Sequence, residues 1–246
     1  YEIVKEAISL PNISLRGFHA HIGSQIFDIK PFCDSADIMI RFVGEVKESL
    51  GFDTEILNLG GGFGVRYVES DPEIDYEENI KQISEHINSY CDENGLPKPT
   101  ILMEPGRSIV ADSGMTLYTA LSVKEITGYK NYVAIDGGMT DNPRYALYGS
   151  SYTVLASNRM DEEASYECTI AGRNCESGDL IQENVKIPRV ERGDNIAVLV
   201  TGAYNYSMAS NYNRVPRPAV VLLGDTDRVV IKRETPEDVS KLDVIL

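Results

Sequence analysis

The sequence predicts an α/β segment over residues 1–112 followed by an all-β domain over residues 113–246. Three observations carry that division. The first part alternates short strand signals with amphipathic helical runs. After about residue 112, short runs rich in Val, Ile, Tyr and Thr take over, with turn residues between them. No long helical pattern appears beyond that point. A β-α-β-α-β rhythm with helices of ten to twenty residues implies parallel strands and right-handed crossovers. Short strands at close spacing imply a mostly antiparallel sandwich or barrel.

In order, Ile3, Val4, Ala7, Ile8 and Leu10 read as the end of a helix. The chain opens within that amphipathic pattern, on Tyr rather than Met, so it is expected to be a piece of something longer. The opening has no basic stretch and no apolar stretch, so no secretion signal is expected. RGFHAHIG reads as a strand running into a loop. Residues 34–50 have apolar spacing near 3.6 and stop at Gly51, a good helix C-cap. TEILNLGGGFG is a strand ending in a glycine-rich turn. DYEENIKQISEHINSYCDENG is a second long helix, acidic at its start and closed by Gly95. TILMEPGR is a third strand with a sharp end. In the second part, MTLYTALSVKEI, NYVAIDGG, YECTIAG, NIAVLVTG, PAVVLL and DRVVIKR read as strands.

Of 246 residues, 42% are hydrophobic and 25% charged, the balance of a globular protein. Asp and Glu number 38 against 23 Lys and Arg, a net charge of −15. With no basic stripe, binding to nucleic acid or an anionic membrane is not expected. No apolar run approaches the ~20 residues of a membrane span. Cys33, Cys91, Cys168 and Cys175 form no CxxC pair, which favours a reducing cytoplasm over a disulfide framework.

The three strands of the first part end in HIGSQ, GGGFG and EPGR. Parallel α/β proteins place their chemistry at the C-terminal ends of strands. Gly60, Gly61, Gly62 and Gly64 free the backbone of Cβ atoms, so their N–H groups could converge on an anion. Ser24 could add a hydroxyl and Arg107 a fork of donors. The spacing is neither GxGxxG nor a P-loop, and a plain strand-to-helix turn is the competing reading. His19 and His21 share a strand face. They could ligate a metal, place one ring against a ligand, or sit in the core. His86 lies in mid-helix and does not join them. Glu104, ahead of a Pro105-Gly106 turn, is either a capping or salt-bridging carboxylate or the partner of a cationic ring nitrogen. Arg144 and Tyr148 lie four apart, on one face if helical, where the Arg could grip a carboxylate. Cys175 and Glu176 occupy a turn-rich loop, where a thiol is a better candidate for reactivity than one in a core. Tyr204 follows a Gly-Ala turn in a stretch dense in Tyr and Asn.

HAHIGSQ, NLGGGFG, MEPGR, DGGMTDNPRYALY, NCESGD and TGAYNYSMASNYN together resemble the diaminopimelate decarboxylases, in order from residue 16 to about 215. That group of pyridoxal-phosphate enzymes combines a (β/α)₈ barrel with a C-terminal β domain, and its wider circle includes ornithine and arginine decarboxylases. The resemblance implies residues 1–112 as part of the pyridoxal-phosphate-binding barrel and 113–246 as the β domain. It implies that His21 stacks on the cofactor ring and that Glu104 pairs with the ring nitrogen. Ser24, Gly61, Gly62, Pro105, Gly106 and Arg107 would bind the phosphate, with Tyr204 at the phosphate or substrate end. Arg107, Arg144, Tyr148 and Tyr204 would hold substrate, Glu176 the distal amino group, and Cys175 would return a proton after loss of CO₂. It implies no metal.

Cys175 and Glu176 serve the partner subunit's active site in that group, so a homodimer with shared sites is implied. The product would be L-lysine from meso-diaminopimelate, CESGD and DNPRYALY favouring that substrate over ornithine, arginine or a carboxy-polyamine. A non-catalytic relative and a metal-dependent hydrolase using His19 and His21 are the other readings. The sequence departs from the group at one point. None of its lysines falls in the Tyr/Phe-Ala-x-Lys setting of the Schiff-base lysine. A complete barrel also needs about 250 residues, so a C-terminal portion, inactive alone, is expected.

Overall fold

The computed structural model describes residues 1–244. Two compact units form, one from residues 1–65 and 72–109, the other from residues 66–71 and 110 onward.

The first unit is a three-stranded parallel sheet covered by helices. After helix α1 (Glu2–Ser9) come β1 (Gly17–His19), α2 (Lys30–Leu50), β2 (Ile56–Asn58), α3 (Tyr76–Asn94), β3 (Thr100–Leu102) and the short α4 (Arg107–Val110). The sheet order is β1-β2-β3, with Gly17 beside Ile56 and Ile56 beside Thr100. Gly17 lets β1 approach β2, because a Cβ there would lie 1.7 Å from the Ile56 carbonyl oxygen. Helix α2 stops at Gly51, whose φ of 67° lets its N–H reach the Lys47 carbonyl. Helix α3 starts at Asp75, whose carboxylate accepts the Glu78 N–H at 3.0 Å. The 3.6-residue spacing of both helices delivers one apolar stripe each to the sheet. Phe32, Ala36, Ile40 and Val43 of α2 and Ile83, Ile87 and Cys91 of α3 bury against Leu57 and Leu59. Because the strands run in register, His19, Asn58 and Leu102 finish at one level. The following loops therefore start side by side.

The second unit centres on a six-stranded sheet. Its strands are β4 (Met115–Glu125), β5 (Asn131–Ile135), β6 (Val154–Ala156), β7 (Tyr166–Ala171), β8 (Leu180–Ile187) and β9 (Asn195–Leu199), ordered β6-β9-β4-β5-β7-β8. The long β4 pairs with β9 along its first half and β5 along its second. The Tyr152 N–H donates to Gln182 Oε1 at 2.9 Å, drawing the entry to one edge strand onto the other. Ile135, Ile170, Ile181, Ile187, Ile196 and Val198 form its core. A separate antiparallel pair, β10 (Val220–Leu222) and β11 (Arg228–Ile231), follows. Helices are short here: α5 (Arg144–Tyr148), α6 (Asn205–Met208) and α7 (Pro236–Ser240).

The pairing is antiparallel except for β5 and β7, which run parallel across a long connection holding α5 and β6. Strands β6 and β8 carry no clear sequence signal. Strand β6 is only three residues long. In β8 the polar run Gln-Glu-Asn interrupts the alternation, and Asn184 takes a φ of 55°. Tertiary pairing decides both. No helix among the described residues is long and apolar enough to cross a membrane.

Candidate active site

In the first unit, the three strand ends bring together most of the residues expected there. Arg107 opens α4 directly after the Pro105-Gly106 turn and is buried, at 8% exposure. Its Nη2 donates to Ser24 Oγ at 3.0 Å. A guanidinium and a hydroxyl at one point form a compact donor set for an oxyanion.

Between them runs the glycine turn. A Cβ on Gly61 would lie 2.1 Å from the Glu104 carbonyl oxygen, and one on Gly62 would lie 2.5 Å from that of Gly23. Gly62 also takes a φ of 112°, which favours glycine. The turn is therefore a place where three loops close on bare backbone. Its N–H groups are largely engaged internally, contrary to a cradle of four converging donors. Gly60 donates to Asn58 Oδ1 at 2.9 Å, Gly61 to His21 Nδ1 at 3.2 Å and Gly64 to the Ile26 carbonyl at 2.9 Å. Nearby acceptors on the neighbouring loops claim them first. The Gly61 contact fixes the tautomer of His21, since Nδ1 must be the acceptor.

Glu104 is exposed, with its carboxylate held from one side. Asn58 Nδ2 donates to Oε1 at 2.7 Å, and His19 Nε2 stands 3.7 Å from Oε2. His19 is thus a neighbour of Glu104, while His21 is engaged with Gly61. Among the described residues no group of His, Cys, Asp and Glu has the arrangement to hold a metal ion. Asn58 escaped the sequence reading. It ends β2 two residues ahead of the glycine run, in register with Leu102, and Glu104 lies two residues beyond Leu102.

In the second unit, Arg144 and Tyr148 lie on one face of α5, as their spacing predicted. The Arg144 guanidinium is 5.2 Å from the Tyr148 ring centroid and 5.8 Å from that of Tyr204. Arg144 is 8% exposed while both tyrosines are exposed. Tyr204 takes a φ of 67°. The buried cation thus lies within cation–π reach of two exposed aromatic rings. The preceding turn is braced from inside. Tyr118 donates its hydroxyl to Asp141 at 2.5 Å. Burial pushes the Asp141 carboxyl above its ordinary range, opposed by that hydrogen bond, and burial pushes the Tyr118 hydroxyl well up.

Cys175 and Glu176 lie on the loop between β7 and β8. Cys175 is exposed, whereas Cys33, Cys91 and Cys168 are buried. Glu176 accepts the Tyr212 hydroxyl at 3.2 Å, and that bond raises the Tyr212 pKa.

Residues 1–111 match the family described as "Pyridoxal-dependent decarboxylase, pyridoxal binding domain", and residues 74–202 match "Pyridoxal-dependent decarboxylase, C-terminal sheet domain". The diaminopimelate decarboxylase of Bacillus subtilis (strain 168) is 46% identical over 242 residues, covering 98% of this chain and 55% of that protein. That of Staphylococcus aureus (strain COL) is 47% identical over 241 residues, covering 96% and 56%. Among solved structures, the diaminopimelate decarboxylase of M. jannaschii in co-complex with L-lysine superposes with a TM-score of 0.92 at 32% identity, covering all of this chain and 55% of that one. The Helicobacter pylori enzyme complexed with L-lysine gives 0.87 at 33% identity, covering 98% and 57%. The chain spans about half the length of the curated relatives it matches.

Proposed function

The chain belongs to the pyridoxal-dependent decarboxylases, and from that premise we propose that the whole protein decarboxylates meso-diaminopimelate to L-lysine. The observation that carries the reading is the donor set at the ends of β1, β2 and β3. Arg107 and Ser24 form an anion site, and Glu104 offers an exposed carboxylate in the same unit. A phosphate and a pyridinium are the two ends of pyridoxal phosphate, so the chemistry of the residues fits that cofactor. When bound, pyridoxal phosphate supplies a sink for the electron pair released as the Cα–carboxylate bond breaks.

The residues divide the work. Arg107 and Ser24 hold the phosphate, with backbone N–H groups of Gly62 and Gly106; the Gly61 N–H is committed to His21, and Pro105 has no N–H to give and shapes the turn. His21, its Nδ1 committed to Gly61, offers its ring face to the cofactor ring. Glu104 keeps a proton on the ring nitrogen, and Asn58 aims its carboxylate. Arg144 grips a substrate carboxylate by a charge-assisted pair, flanked by Tyr148 and Tyr204. Cys175 returns a proton to Cα, and Glu176 holds the distal ammonium. In this reading Cys175 and Glu176 act in the partner subunit's site, so the working unit is a homodimer, in a reducing cytoplasm.

Steady-state turnover of the purified whole protein tests the reading. Lysine should form from meso-diaminopimelate much faster than ornithine or arginine is consumed; the reverse ranking overturns the substrate. Glu104→Gln should lower kcat on the order of 100-fold while cofactor affinity holds, since a neutral amide cannot stabilise the pyridinium.

A further inference from the structure

We propose that Asp179 is a positioning residue that ties the Cys175–Glu176 loop to the turn leading into Arg144. The inference rests on the roles given above to Cys175, Glu176 and Arg144. Asp179 is the last residue of the CESGD stretch and is buried, at 3% exposure. Its Oδ1 accepts the Met139 N–H at 2.6 Å, and its Oδ2 accepts the Asn174 N–H at 2.7 Å and Asn174 Nδ2 at 2.8 Å. One carboxylate thus holds two loops that are 35 positions apart in the chain. Two glycines make room for it. A Cβ on Gly138 would lie 2.4 Å from the carboxylate, and one on Gly172 would lie 2.2 Å from it.

The backbone repeats the tie. Arg173 N–H donates to the Gly137 carbonyl at 3.0 Å across the two segments, while bonds from Asp179 N–H to the Glu176 carbonyl at 3.0 Å and from Gly172 N–H to the Asp179 carbonyl at 2.8 Å close the Cys175 loop on itself. Asn174 directly precedes Cys175, and Met139 lies in the turn five residues before Arg144. Both functional segments take their position from the same two oxygens. One buried side chain accepts three N–H groups from two loops, and a satisfied buried network of this kind is stiff. A chain without this anchor would still present Cys175 and Arg144, but on loosely held loops, and loose placement costs catalysis steeply.

Asp179→Asn in the cofactor-loaded whole protein tests the proposal. The variant keeps the shape but turns an NH₂ group toward an N–H donor. Amide hydrogen exchange at Met139 and Asn174 should accelerate roughly tenfold or more, the loss of about one such bond. Exchange in β9 and cofactor affinity should stay unchanged, and kcat should fall with KM little altered. Should Asp179→Asn fail to fold, Asn174→Ala keeps the Met139 bond. It should accelerate exchange over residues 173–178 only, with a smaller fall in kcat. Unchanged exchange at these amides overturns the proposal, as does faster exchange with unaltered kcat, or activity lost only in step with lost cofactor. A wild-type protein that leaves diaminopimelate untouched sinks the functional reading alone, because the exchange measurement does not depend on turnover.

Discussion

Arg107 and Ser24 stand 83 positions apart in the chain, yet Nη2 of one donates to Oγ of the other at 3.0 Å. Neither residue is unusual where it occurs. Ser24 follows β1 by five residues, and Arg107 follows β3 by five. The parallel register of the sheet turns those equal offsets into a shared site, with the glycine turn after β2 between them.

The pair should recognise phosphate rather than the whole cofactor. Arg107→Met and Ser24→Ala should each weaken binding of pyridoxal phosphate, the first by about 10- to 100-fold as expected for a lost charged hydrogen bond. Affinity for pyridoxal without the phosphate should stay the same. Equilibrium dialysis with both ligands gives the ratio, and equal losses for the two would place the residues elsewhere.

Gly61 should be intolerant of a side chain while Gly51 is not. A Cβ on Gly61 meets the Glu104 carbonyl at 2.1 Å, whereas a Cβ on Gly51 meets nothing within 4 Å. Gly51→Ala should cost about 1 kcal/mol, the strain of a left-handed conformation. Gly61→Ala should cost about 3 kcal/mol, because two backbones must separate. Denaturant unfolding of both variants checks the order.

One thiol per native chain should react. Burial pushes the Cys168 thiol up to about 12 and raises those of Cys33 and Cys91, so all three are shielded and protonated at neutral pH. Intact-mass measurement after brief iodoacetamide treatment should show a single adduct, absent in Cys175→Ala. That variant should keep its stability within about 0.5 kcal/mol, since an exposed side chain packs little.

The C-terminal stretch should carry an acid-sensitive clamp. Arg217 Nε and Nη2 donate to Glu234 Oε1 at 2.9 and 2.6 Å, and Arg217 N–H and Asn211 Nδ2 donate to Oε2 at 2.8 and 2.7 Å. These bonds, with the Arg217 side chain foremost, lower the Glu234 carboxyl from 4.5 to about 2. A depressed folded-state pKa stabilises above the unfolded value and loses that contribution as pH falls through the folded one. Glu234→Gln should therefore be less stable than wild type at pH 7, and the difference should shrink between pH 4.5 and about 2. A gap that persists at pH 2 would show that the charge is not responsible.

The sequence by itself determined the local elements. Helix α2 ends at Gly51 and α3 begins at Asp75 because caps and apolar spacing act within a few residues. It also marked the three special strand ends and the Arg144–Tyr148 spacing on α5, since four residues make one helical turn wherever the helix goes. Tertiary structure alone decided the rest. Asn58 meets Glu104 across 46 positions only because β2 and β3 are in register. His19 turns to Glu104 while His21 turns to Gly61, a split that period-two spacing could not show. Strand β8 exists because β7 offers it a partner, against its polar middle. Asp179, which the sequence did not single out, becomes a buried anchor once Gly138 and Gly172 close around it. Local rules reach a few residues along the chain. Which distant loops share a hydrogen bond is settled by register and burial, and no single segment encodes either.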